Sequence, residues 1–492
     1  MAKFYITTPI YYVNDKPHIG HTYTTTMADI FARWHRLLGD DVFFLTGTDE
    51  HGEKVQKAAE KQGLGPEEFV DAMAAQFMER WKGFGITNDV FMRTTDPQHE
   101  RTVKDFIKKI YDAGDIYKGE YEGWYCTPDE TFVTELQLKD GKCPYCGREV
   151  RKVKEESYFF RLGKYQQMLL DLYDRNPDFL SPRFRAMETI NRVKEGLNDL
   201  SITRKSVKWG IEFEQDKGNV LYVWLDALIN YLSALKWPDG TFEDFWPADV
   251  HVVGKDIAWF HAVIWPALLM SAGIEPPKKV FSHGWWTIEG RKMGKSLGNA
   301  VDPVDITRKY GVDALRYYFV REMPFGEDGD FSEGKLIARI NGELVDDLGN
   351  LVYRSLTLAE RFGGNITGTP ELDRGLDIEN IKGLMQKLDT FNAIEAIWEQ
   401  VRRTNRYINE KQAWKLSGEQ LGNVIYNLLE SIRVISILLS PFMPETSEKI
   451  RVQLGVEKQG LNHCGFGEFR GKVSKQGHLF EKFSREKHSE NP

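Results

Sequence analysis

Apolar and polar positions fall into successive regimes along this chain. From Phe4 to about Gly114, short apolar runs alternate with amphipathic segments. Phe4 to Val13 is apolar nearly throughout, as a strand buried on both faces requires, and Thr22 to Leu38 carries apolar residues at helical spacing. Asp41 to Thr46 begins a second strand that ends in Gly47-Thr48-Asp49-Glu50-His51-Gly52. Gly65-Pro66 opens a further helix that Gly83 and Gly85 close. Alternation of this kind predicts a parallel sheet with its ligand site at the carboxyl ends of the strands. Around Tyr117 the regime breaks, and residues to about Phe213 read as an insertion of short strands, cysteines and a polar helical stretch. The α/β pattern resumes with strands at Val220-Leu221-Tyr222-Val223-Trp224, at Val250 to Gly254 and at Lys279 to His283. Beyond Asp330, Leu344 to Arg361, Leu384 to Tyr407 and Glu419 to Leu439 show helical spacing, with Gly363, Gly364, Pro370, Pro441 and Pro444 between or after them. The tail, rich in Gly, Lys and Glu, is expected to pack back irregularly.

The expected organisation is an α/β parallel-sheet domain in two halves, 1–116 and 214–290, interrupted by the insertion 117–213. A linking region, 291–343, leads to an all-α bundle, 344–492. The 492 residues are too many for one core. Hydrophobic content of 41% and charged content of 28% suit a soluble globular protein. A net charge of −8 means that any nucleic-acid partner must be held by a local basic surface. Met1-Ala2-Lys3 runs straight into strand-like sequence with no cleavage pattern, and apolar stretches such as Ala262 to Leu269 are too short to span a bilayer. The expectation is a cytoplasmic protein with no membrane partner. The spacing of the four cysteines suggests a metal site rather than disulfides.

Chemistry concentrates in two stretches. His18-Ile19-Gly20-His21 lies between the first strand and the first helix, where backbone N–H groups and the positive helix end favour an anion. Its imidazoles can donate to phosphate oxygens, and Gly20 lets a flat base approach the backbone. Lys292-Met293-Gly294-Lys295-Ser296 gathers two ammonium groups that can neutralise a leaving pyrophosphate. Taken singly, the first is more often a locally satisfied histidine pair and the second a solvated basic loop. Their order, and the α/β and helical sequence around them, resemble the signature pair of the class I aminoacyl-tRNA synthetases.

The resemblance narrows to the methionyl-tRNA synthetases and covers nearly the whole chain. It rests on Thr8 to Asn14, Gly47 to Gly52, Tyr222 to Ala227, Val253 to Asp256 with Phe260-His261, Val301 to Pro303 and Asp313 to Tyr317. It implies a nucleotide-binding class I catalytic domain followed by an anticodon-binding bundle. It implies a methionine pocket lined by Ile10, Tyr12, Trp224, Ala227, Tyr231, Phe260, His261 and Trp265, with Asp49 on the substrate ammonium and Asp256 on the adenosine ribose. Polarizable aromatic walls suit an unbranched thioether, and Tyr12 and His261 are the expected polar contacts to its sulfur. Methionine would be activated by ATP with Mg²⁺ and then passed to initiator and elongator tRNA(Met). His18, His21, Lys292 and Lys295 would carry the chemistry, and Gly20 would also contact ATP. Gly294 stands where the family usually has serine.

In the insertion, Cys126, Asp129, Cys143 and Cys146 have the spacing of a zinc knuckle, with Asp129 where the family usually places cysteine. The expectation is one structural Zn²⁺, against a metal-free knuckle held by packing; Cys464 is left as a lone thiol. Asn350 and Arg354 share a helix face and match the family's anticodon-reading helix, and Trp414 matches its stacking tryptophan. Ala413 stands where proline is usual, and the bland reading of these residues is a solvated face or core packing. The family sometimes appends an oligonucleotide-fold dimerisation domain. Too little chain follows Arg470 to form one, so a monomer is expected. The rivals are another class I synthetase and a catalytically silent tRNA-binding paralogue.

Overall fold

A computed structural model describes residues 1–126, 131–133, 135, 138–144, 147–292, 301–363, 366–373 and 376–484. Two compact units emerge. A sheet unit comprises Lys3–Pro17 and Val42–His283; a helical unit comprises Met1–Ala2, His18–Asp41 and Gly284–Pro492.

The sheet unit is built on six strands: β1 (Lys3–Tyr12), β2 (Asp41–Asp49), β3 (Val90–Arg93), β4 (Leu180–Ser181), β5 (Val250–Gly254) and β6 (Val280–His283). Their order is β3-β2-β1-β5-β6-β4, and the pairs β2–β3, β1–β5, β5–β6 and β6–β4 run parallel. The chain winds one way from β1 to β3 and the other way from β5 outwards. The β1–β5 junction is therefore the topological switch point, where a crevice opens beyond the carboxyl ends. Ile6 pairs with Val250, which puts Tyr12 and Gly254 at that crevice.

The insertion forms a four-stranded antiparallel sheet, ordered Thr131–Val133, Ile116–Cys126, Arg151–Phe160 and Leu200–Ser201. One piece escapes it. Leu180–Ser181 pairs with Val280 and Phe281 and becomes the edge of the main sheet. The expected strand at Val220 to Trp224 is also corrected: only Val220–Leu221 is extended, and a helix runs from Val223 to Ser233. That helix is buried on every side, its polar residues Asp226, Asn230 and Ser233 included, so no solvent-facing side marks its period and periodicity cannot separate it from a buried strand.

In the helical unit the first helix spans Ile19–Leu38, starting earlier than the expected Thr22. Asp29 on it pairs with Arg33 at 2.7 Å and with Arg316 at 2.8 Å, and Arg316 donates to the carbonyls of Pro441 and Phe442. The helical run Glu333–Arg339, Ile340–Gly349 and Asn350–Phe362 crosses residue 343 without a break. Its middle segment is wound in wide π-helical turns. The expected Leu384–Tyr407 helix is two, Ile378–Gln386 and Thr390–Glu410, parted at Leu388 with φ of 61°. Gly418–Leu439 is long and apolar enough to cross a bilayer, which the sequence reading did not anticipate, yet it lies buried in the bundle core.

Candidate active site

The carboxyl ends of the sheet strands carry the aromatic cluster expected to hold a thioether. On the Val223–Ser233 helix, Trp224, Ala227 and Tyr231 follow one another along a single face. The Trp224 ring stacks on Phe260 with centroids 3.8 Å apart and planes 7° apart, while Tyr12 meets it edge-on at 6.4 Å. Phe260 opens a π-helical turn, Phe260–Ile264, the kind of irregularity that concentrates at functional sites. Trp265 lies 6.0 Å from Tyr231, and Ile10 packs against the same core.

His261 and Tyr231 are joined. His261 Nδ1 is 2.9 Å from the Ile257 carbonyl, which only accepts, so Nδ1 carries the proton. Burial pushes the imidazole pKa down to about 4, so His261 Nε2 is bare and accepts from the Tyr231 hydroxyl at 2.7 Å. In this arrangement both ring nitrogens of His261 are engaged within the protein. Beneath Tyr231, His251 stacks at 4.1 Å and bonds Thr7 Oγ1 at 2.8 Å.

Asp49 ends β2 and is buried. Its strand tolerates no side chain at Gly47, where a Cβ would lie 2.1 Å from the Met92 carbonyl oxygen. Asp256 lies on the exposed loop after β5, and a Cβ on Gly254 would lie 2.6 Å from its Oδ1.

In the helical unit, His18 is the N-cap of the Ile19–Leu38 helix. Gly20 N donates to His18 Nδ1 at 3.1 Å, and His18 N donates to His21 Nδ1 at 3.3 Å. This is a capping box made of two imidazoles, stacked 3.7 Å apart. Because both Nδ1 atoms accept, each neutral ring carries its proton on Nε2, the tautomer that donates to an anion. A Cβ on Gly20 would lie 2.9 Å from His18 Cε1, so the glycine leaves room for the histidine ring itself.

The lysine stretch grows from a hairpin in the same unit. Trp286–Ile288 pairs antiparallel with Arg291–Lys292 and parallel with Gly329–Phe331, and Glu289 and Gly290 take positive φ at the tip. Asp330 Oδ1 accepts from Gly290 N at 2.7 Å and from Thr287 Oγ1 at 2.7 Å. Lys295 lies outside the described residues, as does the side chain of Lys292.

Comparison with known proteins decides the family. The family model described as "tRNA synthetases class I (M)" matches residues 4–154 and 148–356. A methionine–tRNA ligase of Caldanaerobacter subterraneus subsp. tengcongensis is 50% identical over 471 residues, 92% of this chain and 74% of that protein. One from Rickettsia felis is 46% identical over 477 residues, 93% of each chain. The solved structure of Mycobacterium tuberculosis methionyl-tRNA synthetase in complex with methionyl-adenylate superposes with a TM-score of 0.93 at 39% identity, covering 98% of this chain and 100% of that one. The chain belongs to the methionyl-tRNA synthetase family.

Of the knuckle expected in this methionyl-tRNA synthetase, Cys126 and Cys143 are buried, and Gly147 N donates to the Cys143 carbonyl at 2.9 Å, closing a knuckle-like turn. Asp129 and Cys146 lie outside the described residues. Cys126 ends the strand Ile116–Cys126 and Cys143 opens that turn, and thiols are the donors that a structural zinc takes. In the bundle, Arg354 Nη2 donates to Asn409 Oδ1 at 3.0 Å, and Asn350 Nδ2 lies 3.4 Å from Asp346 Oδ1. Trp414 sits just beyond Asn409 on the turn Ala413–Lys415, where Ala413 is buried and Trp414 is 58% exposed. Core packing is thereby excluded for Trp414.

Sequence reasoning quoted the segments holding His51 and Asp226 without giving either a role, and it missed His99 altogether. His51 and His99 bond the two oxygens of Asp226.

Proposed function

We propose that the methionine–tRNA ligase activity of this chain (EC 6.1.1.10) is carried by two sets of residues. Ile10, Tyr12, Trp224, Ala227, Tyr231, Phe260, His261 and Trp265 select the methionine side chain, with Asp49 on its ammonium and Asp256 on the ribose. His18, Gly20, His21, Lys292 and Lys295 serve the triphosphate. The observation that carries this reading is the stacked Trp224–Phe260 pair beside the self-satisfied Tyr231–His261 bond. An apolar, polarizable slot of this kind accepts a thioether and disfavours side chains that need hydrogen-bond partners.

The methionine carboxylate attacks the α-phosphate of ATP, and pyrophosphate leaves. The Nε2–H groups of His18 and His21 donate to phosphate oxygens, and the lysines offset the charge that builds on the leaving group. Mg²⁺ accompanies ATP and supplies charge neutralisation at the phosphates. A ribose hydroxyl of the terminal tRNA adenosine then attacks the activated carbonyl carbon and loses its proton; the ester C–O bond forms as the bond to the phosphate oxygen breaks and AMP leaves. No covalent enzyme intermediate is needed, so positioning and electrostatics do the catalysis. Cys126, Asp129, Cys143 and Cys146 hold one structural Zn²⁺. Asn350, Arg354 and Trp414 meet the anticodon of tRNA(Met), initiator and elongator alike, and the chain acts as a cytoplasmic monomer.

ATP–pyrophosphate exchange across a panel of amino acids tests the reading; methionine alone should support it at micromolar to millimolar levels. Lys295→Ala should slow exchange by roughly 10²–10³, the scale of one lost transition-state donor, with methionine KM little changed. A rate within about threefold of the parent would remove Lys295 from the mechanism.

A further inference from the structure

A buried polar chain in the sheet unit takes no part in the reaction just described. Asp226 Oδ2 is 2.7 Å from His51 Nδ1, and Oδ1 is 2.6 Å from His99 Nε2. His99 Nδ1 continues to Ser233 Oγ at 2.9 Å. All four residues are buried, Asp226 and His99 to 1% and 0% exposure. An ionised carboxylate so placed is costly unless both oxygens are matched, and apolar residues would pack this space as tightly. What hydrogen bonds add is a fixed register between the elements they join.

Those elements are the ones that carry the methionine-binding residues. Asp226 sits between Trp224 and Ala227 on the pocket helix, and Ser233 lies two turns further along the same face. His99 therefore grips that helix near both ends. His51 follows Asp49 in the loop after β2, and the rest of that loop is fixed independently. Glu50 takes Arg93 Nε at 2.8 Å and Nη2 at 2.9 Å, and Thr48 Oγ1 at 2.6 Å. Gly52 N donates to the Trp209 carbonyl at 3.0 Å, and Trp209 Nε1 donates to the Glu50 carbonyl at 2.6 Å.

We propose that Asp226 is a positioning residue for methionine selection. Bridging the imidazoles of His51 and His99, it locks the aromatic wall on the pocket helix to the Asp49 loop at the separation between methionine's side chain and its α-amino group. The inference rests on the proposed pocket. The charges are consistent with it. Burial pulls the His51 pKa down, but Asp226, with Glu100 and Glu50, raises it overall. Burial likewise raises Asp226, yet His51 and His99 hold its carboxyl below the ordinary value.

Methionine-dependent ATP–pyrophosphate exchange tests this. Asp226→Ala should raise methionine KM about tenfold or more, with ATP KM unchanged and kcat within about threefold. Asp226→Asn should restore KM to within about threefold of the parent, because its oxygen still accepts from His51 while its amide donates to His99 Nε2 in the other tautomer. Should Asp226→Ala fail to fold, His51→Ala cuts only the loop arm and should raise methionine KM about fivefold. A methionine KM within about twofold of the parent, a loss confined to kcat, or an Asn variant as impaired as Ala would overturn the proposal. Trp224→Ala is the control. If it raises methionine KM while Asp226→Ala and His51→Ala do not, the positioning role alone falls; if it has no effect, the pocket assignment falls and this role with it.

Discussion

Two hydrogen bonds decide what His261 can offer a ligand. Its Nδ1–H is committed to the Ile257 carbonyl and its Nε2 to the Tyr231 hydroxyl, so a thioether held here would meet this ring as polarizable surface and not as a donor. Tyr231→Phe leaves that Nε2 buried without its donor, a loss of about 1–3 kcal/mol shared between stability and binding. Methionine KM in pyrophosphate exchange should rise roughly five- to tenfold, with ATP KM unchanged. Protonation adds a pH signature. In the fold His261 stays neutral down to about pH 4, whereas the unfolded ring takes its proton near 6.5. Between those values the unfolded state holds more protons, so stability falls as pH drops through the window, by about 3 kcal/mol at its acid end. His251, pushed down by burial, adds in the same direction. Urea midpoints at pH 7 and pH 5 should show the decline, and His261→Gln should lessen it, leaving the part that His251 contributes. At this scale the aromatic cluster was legible through the family resemblance, which names its members. The Asp226 network was not: its partners lie 175, 127 and 134 residues apart, and nothing local marks a histidine that meets an aspartate only through the fold.

Element boundaries slipped where one residue serves two roles. The first helix begins at Ile19 because His18 caps it, and histidine is not among the usual capping residues, so the start was placed late. The Val223–Ser233 helix passed for a strand because it is buried all round and no solvent-facing side marks a helical period. The parallel sheet, the insertion and the bundle were all legible in the alternation of apolar runs. The hairpin bearing the lysine stretch shows how little sequence separates a loop from a held loop. Asp330 lies far along the chain, yet it fastens Thr287 in the first strand of the hairpin and Gly290 at its tip. Asp330→Ala should slow pyrophosphate exchange by about tenfold, the cost of loosening a group that acts by position, while methionine KM stays put. In the insertion, metal analysis after zinc-replete expression should find about one zinc per chain, and Cys143→Ser should abolish it. Absence of zinc would leave the knuckle turn as packing alone.

For the whole molecule, the residue proposed to meet the anticodon and the residues proposed to meet methionine fall in different units. Trp414 lies in the helical unit and the methionine pocket in the sheet unit. Losing one stacked base costs about 1–3 kcal/mol, so Trp414→Ala should cut aminoacylation roughly ten- to a hundredfold while leaving exchange untouched. Equal loss of both activities would refute an anticodon role. The bundle that displays Trp414 is built around Gly418–Leu439, a helix with the length and composition of a bilayer span that is kept from lipid and from other copies only by its neighbours. Two of those neighbours, Asn350–Phe362 and Thr390–Glu410, precede it in the chain, while Pro444–Leu454 and the stretch Gln459 to Phe469, which bonds Glu430 and Arg433 on the helix, follow. Synthesis from the amino terminus thus prepares part of its shelter before the apolar segment emerges from the ribosome. A rearranged gene that made this segment first would release it bare, and the same residues that hold the bundle together would then recruit chaperones or aggregate.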